Sequence, residues 1–361
     1  MSLGKKVTLN TGAQIPQLGF GTWQSAPGQV GEAVYEALKA GYRHLDLATI
    51  YQNQREVAAG IKRAYQDVPG LKREDLFIVS DARFPPANDP GLYMHAGILT
   101  FLPPTIDLQA VEQHRPEVVE ASLDACLAEL ELDYLDLYLV HWPVAFQKGE
   151  SYFPLVAGST VEGGDVIIDD GVSIVDTWKA MTQLPKSKAR AVGVSNHTIP
   201  HLEAIINGTG VVPAANQIER HPVLQSNDLI EYCQKKGIHI TAYSAFGNNM
   251  LNIPLLITRP EVKEVAESVS KRTGQEVTGA HVILAWSQVG GHSVIPKSVT
   301  PSRIRDNFKE VELTAEEIEK VNALGKDRRR YNTPYTANKP RWNINIFGEA
   351  EEQPADHKVV V

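Results

Sequence analysis

Two side chains in this sequence, Tyr51 and His141, are of the types that move a proton to or from a carbonyl oxygen. Three cations, Lys297, Arg303 and Arg305, crowd one short stretch and suit an anionic group such as a phosphate. Other polar residues close a series of short apolar runs: Thr22 and Trp23, then Asp46, His141-Trp142, Ser195-Asn196, Tyr243-Ser244 and Lys297-Ser298. A further run carries Asn216, Gln217 and Glu219. Singly, each has a plain structural reading: Asp46 as a turn cap, Tyr51 as a rim contact, His141 as a satisfied core histidine, Lys297 and Arg303 as a solvated helix start. Jointly, polar side chains at the ends of successive runs read as one site.

Other chemistries lack their residues. The eleven histidines show no His-Glu-x-x-His or His-x-His spacing and no cysteine pair accompanies them, so no metal site is expected. No Gly-x-Ser-x-Gly nucleophile turn occurs.

The runs that must position these residues are eight strand candidates: 17–22, 44–48, 76–80, 135–141, 189–195, 214–219, 239–244 and 293–298. Several are near-continuously apolar, the pattern of parallel strands buried on both faces. Helical stripes lie between them: Val30, Val34 and Leu38; Val119, Leu123, Cys126, Leu127 and Leu130; Ile174, Trp178 and Met181; Val262, Val265, Ala266 and Val269. Eight strands alternating with helices predict an α/β fold, a (β/α)8 TIM barrel, whose sites lie at the C-terminal strand ends. The rival, a doubly wound sheet, lacks its Gly-rich turn: Gly19 and Gly21 follow a strand, but no third glycine opens a helix.

Composition narrows the class. The chain has 361 residues, 43% hydrophobic and 22% charged, enough apolar sequence for a large core. A net charge of −8 argues against nucleic-acid binding. Two cysteines, Cys126 and Cys233, lie in helical stripes and read as buried free thiols. No apolar run is long enough to span a bilayer, and the first residues lack an apolar signal core, so a cytoplasmic, membrane-free setting is expected. The predicted division is a barrel over 7–326 interrupted by an atypical insert at 81–111, then a C-terminal loop and tail at 327–361. The last dozen residues, acidic then Val-rich, read as frayed.

Several motifs together resemble the aldo-keto reductase family, most of all its fungal aldehyde reductase and glycerol dehydrogenase type. They are Gly41-Tyr-Arg-His-Leu-Asp46-Leu-Ala-Thr-Ile-Tyr51-Gln-Asn53, Leu135-Asp-Leu-Tyr-Leu-Val-His141-Trp-Pro143 and Gly193-Val-Ser195-Asn196. Asn216-Gln217-Ile-Glu219, Tyr243-Ser-Ala-Phe-Gly-Asn-Asn249 and Ile295-Pro-Lys297-Ser298-Val-Thr-Pro-Ser-Arg303 complete the set. The similarity covers about 7–80 and 112–348. It implies an NADP(H)-dependent reductase of aldehydes or small aldoses, reversible toward polyols. Tyr51 would be the general acid, His141 would orient the carbonyl oxygen, and Asp46 would partner a lysine. Among cofactor-binding residues it implies Thr22; Ser195, Asn196 and Gln217 at the carboxamide; and Tyr243 stacked on the nicotinamide. Lys297, Ser298 and Arg303 would hold the 2′-phosphate, Asn307 would meet the adenine, and Trp23 and Trp142 would line the substrate pocket. A monomer acting on a small carbonyl or polyol is implied as well.

One position departs from that pattern. The family places a lysine after strand three; this chain reads Leu76-Phe-Ile-Val-Ser80-Asp81-Ala-Arg83-Phe84, with no lysine between Lys72 and Lys148. Ala58 also replaces a glycine of the signature. The 31 residues from 81 to 111 hold five prolines and no amphipathic period, where barrel loops usually run about 2–6 residues. Two origins fit: a genuine isoform with a Pro-rich loop over the active-site mouth, or translated intron or a misdrawn exon boundary. An aspartate in the lysine's place raises the phenol pKa of Tyr51 and sets a second carboxylate near Asp46. Arg83 is the one nearby substitute cation. Two functions therefore compete: an active reductase, and an NADP-binding protein with weak catalysis. A scaffold barrel would bind no NADPH.

Overall fold

The computed structural model describes residues 4–81, 114–147, 153–248 and 253–361. Arg83, Asn249 and all of the insert beyond Asp81 lie outside the described residues. Eight parallel strands run in chain order around one sheet: β3 (Phe20–Gly21), β4 (His44–Asp46), β5 (Phe77–Asp81), β6 (Leu137–Val140), β7 (Val192–Ser195), β8 (Ala215–Glu219), β9 (His239–Tyr243) and β10 (Ser293–Val294). Seven fall inside an expected run, and β5 overruns the expected 76–80 by one residue, Asp81. Backbone bonds join the last strand to the first: Val294 N–H donates to Gln17 O at 2.7 Å and Gly19 N–H to Val294 O at 2.9 Å. The sheet thus closes as a (β/α)8 barrel rather than remaining an open doubly wound sheet.

The period of two along each strand decides what the mouth contains. In β5, Phe77 and Val79 join the interior cluster while Ile78 joins the cluster beneath the helices. The next interior position is Asp81. In β6, Leu137 and Leu139 are interior, so the next is His141. Ala191 and Ala215 enter the same cluster, which sends Ser195 and Gln217 to the mouth by the same count. A hairpin of β1 (Lys6–Thr8) and β2 (Gln14–Pro16) brings Leu9 and Ile15 into this cluster.

The expected apolar stripes are the buried faces of helices α1 (Val30–Ala40), α3 (Val119–Leu130), α4 (Ile174–Thr182) and α7 (Pro260–Thr273). Numbered in chain order, α2 (Gln54–Asp67) follows α1, α5 (Ile199–Thr209) and α6 (Asn227–Lys236) follow α4, and α8 (Gly279–Ser287) and α9 (Pro301–Asn307) follow α7. Cys126 and Cys233 are buried free thiols, as expected. Among the described residues no helix is long and apolar enough to cross a membrane.

The tail corrects an expectation. Its last residues are not frayed: β12 (His357–Lys358) pairs in parallel with β11 (Ile344–Asn345), and Ile174 N–H donates to Val360 O at 2.9 Å. Trp342, Ile344 and Ile346 pack with Val144, Phe146, Val166 and Ile168 in a separate apolar cluster. The buried carboxylate of Glu352 accepts backbone N–H groups from Ile346, Phe347 and Glu349. Acidic composition suggested a solvated end, but this glutamate caps the chain's own turn.

Candidate active site

At the C-terminal ends of the strands lies a cavity of about 530 Å³. Its lining includes Thr22, Trp23, Asp46, Tyr51, His141, Trp142, Ser195, Asn196, Gln217, Tyr243 and Lys297. Eleven of the fourteen sequence-derived site residues therefore converge on one space. Ser298, Arg303 and Asn307 do not line it; they follow Lys297 in the turn and in α9. Ser298 Oγ accepts the N–H of Thr300 at 3.1 Å, and Asn307 is buried. Arg303 is exposed on α9 and makes no ion pair among the described residues. Arg305, one of the three clustered cations, is instead paired with Glu36 at 2.6 Å. It belongs to the outer surface between α1 and α9, which corrects its reading as an anion ligand.

The β7–β10 side of the cavity is closely ordered. Tyr243 Oη donates to Asn196 Oδ1 at 2.7 Å, which fixes the plane of an aromatic ring in the wall. Asn196 Nδ2 in turn donates to His141 O at 2.9 Å and Ser195 Oγ at 3.0 Å. Asn196 and Ser244 both adopt the left-handed backbone conformation, at φ 63° and 51°. Non-glycine residues held there at a cavity mouth carry strain that the surrounding bonds maintain. Lys297 Nζ donates to Gln24 O at 2.5 Å, and burial lowers its pKa.

The β4–β6 side is acidic. Asp46 was expected to partner a lysine; instead Gln217 Nε2 donates to Asp46 Oδ2 at 2.7 Å. One of the two Nε2 N–H groups of Gln217 is thereby committed, leaving the other N–H and the Oε1 acceptor to offer. Burial pushes Asp46 up to about 8, its bond from Gln217 opposes the shift, and Asp81 adds to it. Tyr51 is raised well above the ordinary tyrosine range, first by burial, then by the charges of Asp46 and Asp81. Among the described residues no lysine or arginine hydrogen-bonds its hydroxyl. The two-carboxylate arrangement anticipated from the sequence is therefore present.

Asp81 has a partner that sequence reasoning missed. Its Oδ2 lies 2.6 Å from His141 Nδ1, though out of the alignment of an ideal hydrogen bond. The signal was available: β5 and β6 are neighbours, Asp81 pairs in register with Leu139, and His141 stands at the next interior position. His141 stacks on Trp142 and meets Tyr51 edge-on at 6.2 Å between ring centroids.

The tail closes the cavity, a contribution only partly anticipated. Ala337, Asn338, Lys339, Pro340 and Trp342 line it, and Trp342 meets Trp142 edge-on at 5.4 Å. Glu219, fully buried at the end of β8, holds this segment by accepting the N–H groups of Tyr331 at 2.7 Å and Asn332 at 2.9 Å. Its interior position two residues after Gln217 was the legible sign that a buried carboxylate needed partners.

The fold and site define a (β/α)8 barrel enzyme with a polar, aromatic-walled cavity at its strand ends. Residues 17–326 match the model of the aldo/keto reductase family. The chain is 57% identical over 361 residues to the D/L-glyceraldehyde reductase of Hypocrea jecorina, covering 100% of this chain and 99% of that one. It is 37% identical over 332 residues to glycerol 2-dehydrogenase (NADP(+)) of Saccharomyces cerevisiae, covering 90% and 92%. The solved aldose reductase of Schistosoma japonicum superposes with a TM-score of 0.75 at 31% identity, over 96% of this chain and 98% of that one. The chain belongs to the aldo/keto reductase family and is an oxidoreductase.

Proposed function

We propose that this protein reduces aldehydes and small aldoses to alcohols with NADPH, and oxidises polyols in reverse. The observation that carries the reading is one cavity joining proton-transfer groups, Tyr51 and His141, to an ordered amide and aromatic wall ending at Lys297. The relatives named for glyceraldehyde reduction and NADP+-dependent glycerol oxidation support the substrate class.

The residues present fit the cofactor. Ser195, Asn196 and the free Oε1 of Gln217 would hold a carboxamide, Thr22 lines the same cavity, and Tyr243 offers a ring held by its bond to Asn196. Lys297, Ser298 and Arg303 would take the 2′-phosphate that distinguishes NADP from NAD, with Asn307 at the adenine. When bound, NADPH supplies the hydride. Trp23 and Trp142 wall the substrate side and exclude water from the carbonyl. Tyr51 and His141 orient the carbonyl oxygen and provide its proton. The same reading makes the barrel over 7–326 and the tail over 327–361 one unit, a cytoplasmic monomer with a small carbonyl or polyol as its partner.

A second reading is favoured by one observation: Asp81 stands where the family resemblance implies a lysine. Tyr51 then faces two carboxylates, and a phenol raised so far is a weaker general acid. Such a chain binds NADP and turns over slowly. Protein fluorescence titration with NADPH, followed by addition of a reactive aromatic aldehyde, separates the readings. Saturable binding with aldehyde-dependent NADPH loss supports the reductase. Binding without loss supports the second reading, and absence of binding overturns both.

A further inference from the structure

We propose that Asp81 and His141 share a proton, and that His141, through Nε2, delivers a proton to the carbonyl oxygen. The proposal rests on the reductase reading above.

Geometry carries it. Asp81 and His141 end neighbouring strands on the same interior parity, and Oδ2 lies 2.6 Å from Nδ1. Nδ1 is buried, as is Asp81 Oδ1, and neither has a well-aligned hydrogen-bond partner. At 2.6 Å a carboxylate oxygen and an imidazole lone pair repel if neither bears a proton, so the proposal assigns one shared proton to the pair. If it resides on Nδ1, the ring becomes a donor to the cavity by taking a second proton on Nε2, as an imidazolium beside a carboxylate. If it resides on Asp81, the carboxyl donates to Nδ1 and the neutral ring carries its proton on Nε2. Both states present Nε2–H, and both carry no net charge.

Loss of that proton leads each to the same product, a neutral ring with Nδ1–H facing the Asp81 carboxylate. In carbonyl reduction the C=O π bond breaks, the carbon gains the hydride, and the oxygen gains the Nε2 proton. Water restores the proton after product leaves. The titratable groups gathered around the pair among the described residues are Asp46, Tyr51, Tyr243, and behind β5 Cys126 and Tyr138. Burial and the two carboxylates favour the protonated phenol, so Tyr51 donates a hydrogen bond yet retains its proton. The aspartate that weakens one acid thereby equips another.

The test combines kinetics with a readout independent of turnover. In NADPH-dependent aldehyde reduction, Asp81→Asn is expected to lose about 10²-fold in kcat and Asp81→Glu to recover most of it. The reduction rate of the unaltered protein should fall with rising pH before the tyrosine range, and Asp81→Asn should flatten the profile. In cofactor-free protein, ¹⁵N NMR of labelled histidine is expected to show the Asp81–Nδ1 bond, absent in Asp81→Asn. Full activity in Asp81→Asn would overturn the proposal. So would a profile flat up to the tyrosine range, or an unchanged Nδ1 signal. No turnover by the unaltered protein would instead overturn the reductase reading, and with it proton delivery, while the NMR comparison would still decide whether the pair exists.

Discussion

The two sides of one cavity differ in how far their charges are balanced. Along β7–β10, three polar groups of the wall have defined partners: Tyr243 with Asn196, Asn196 with His141 O, Lys297 with Gln24 O. Along β4–β6, Asp46 and Asp81 stand together with no cation between them among the described residues, and Tyr51 is raised by both. On the function proposed above, holding a dinucleotide and moving a proton are separable properties of one barrel mouth. The first depends on dipoles and an aromatic plane fixed by strand ends. The second depends on the sign of a single charge.

The largest effect expected follows from reversing that charge. Asp81→Lys should raise kcat for aldehyde reduction by about 10²–10⁴ and make turnover depend on Tyr51, with little change in NADPH affinity. An unchanged rate with an intact fold would show that the acidic side is not what limits the chain. Next comes the tail that closes the cavity. Trp342→Ala removes a buried indole and should cost about 3–5 kcal/mol in denaturant unfolding, with a raised KM for aldehyde. On the opposite side, Lys297→Ala should weaken NADPH binding about 10–100-fold by fluorescence titration and leave NADH binding nearly unchanged. An equal loss for both cofactors would remove Lys297 from the phosphate end.

The smallest effect concerns pH and stability. Asp46, at about 8, is raised above its ordinary value, so the folded state binds its proton more tightly than the unfolded chain does. Its contribution to stability therefore declines as pH rises from about 4 toward 8. Asp46→Asn should stabilise the protein at pH 8 by about 1–3 kcal/mol and do little near pH 4. A uniform shift across pH would place the effect elsewhere.

Strand parity explains how much was legible beforehand. Eight apolar runs, each ending in a polar residue, located the barrel and its mouth, and the convergence of Asp46, Tyr51, His141, Gln217 and Tyr243 followed from closure of the sheet. Partners were harder to read, because they depend on which strand lies beside which. Thus Gln217, expected to face a carboxamide, commits one N–H to Asp46, and Arg305 turns outward to Glu36. The tail was misread for a related reason. Glu352 looks solvated in composition, yet it is buried because three backbone N–H groups of its own turn satisfy it. Glu219 shows the same principle across a longer distance, holding Tyr331 and Asn332 from the end of β8.

On the proposed function, the cofactor side is complete while the proton-transfer side lacks a cation among the described residues. Single-turnover reduction of an aromatic aldehyde, with NADPH saturating both the unaltered protein and Asp81→Lys, tests it most directly. Equal NADPH affinities are expected, with a transfer rate at least about a hundredfold lower in the unaltered protein. Equal rates at equal affinity would contradict it.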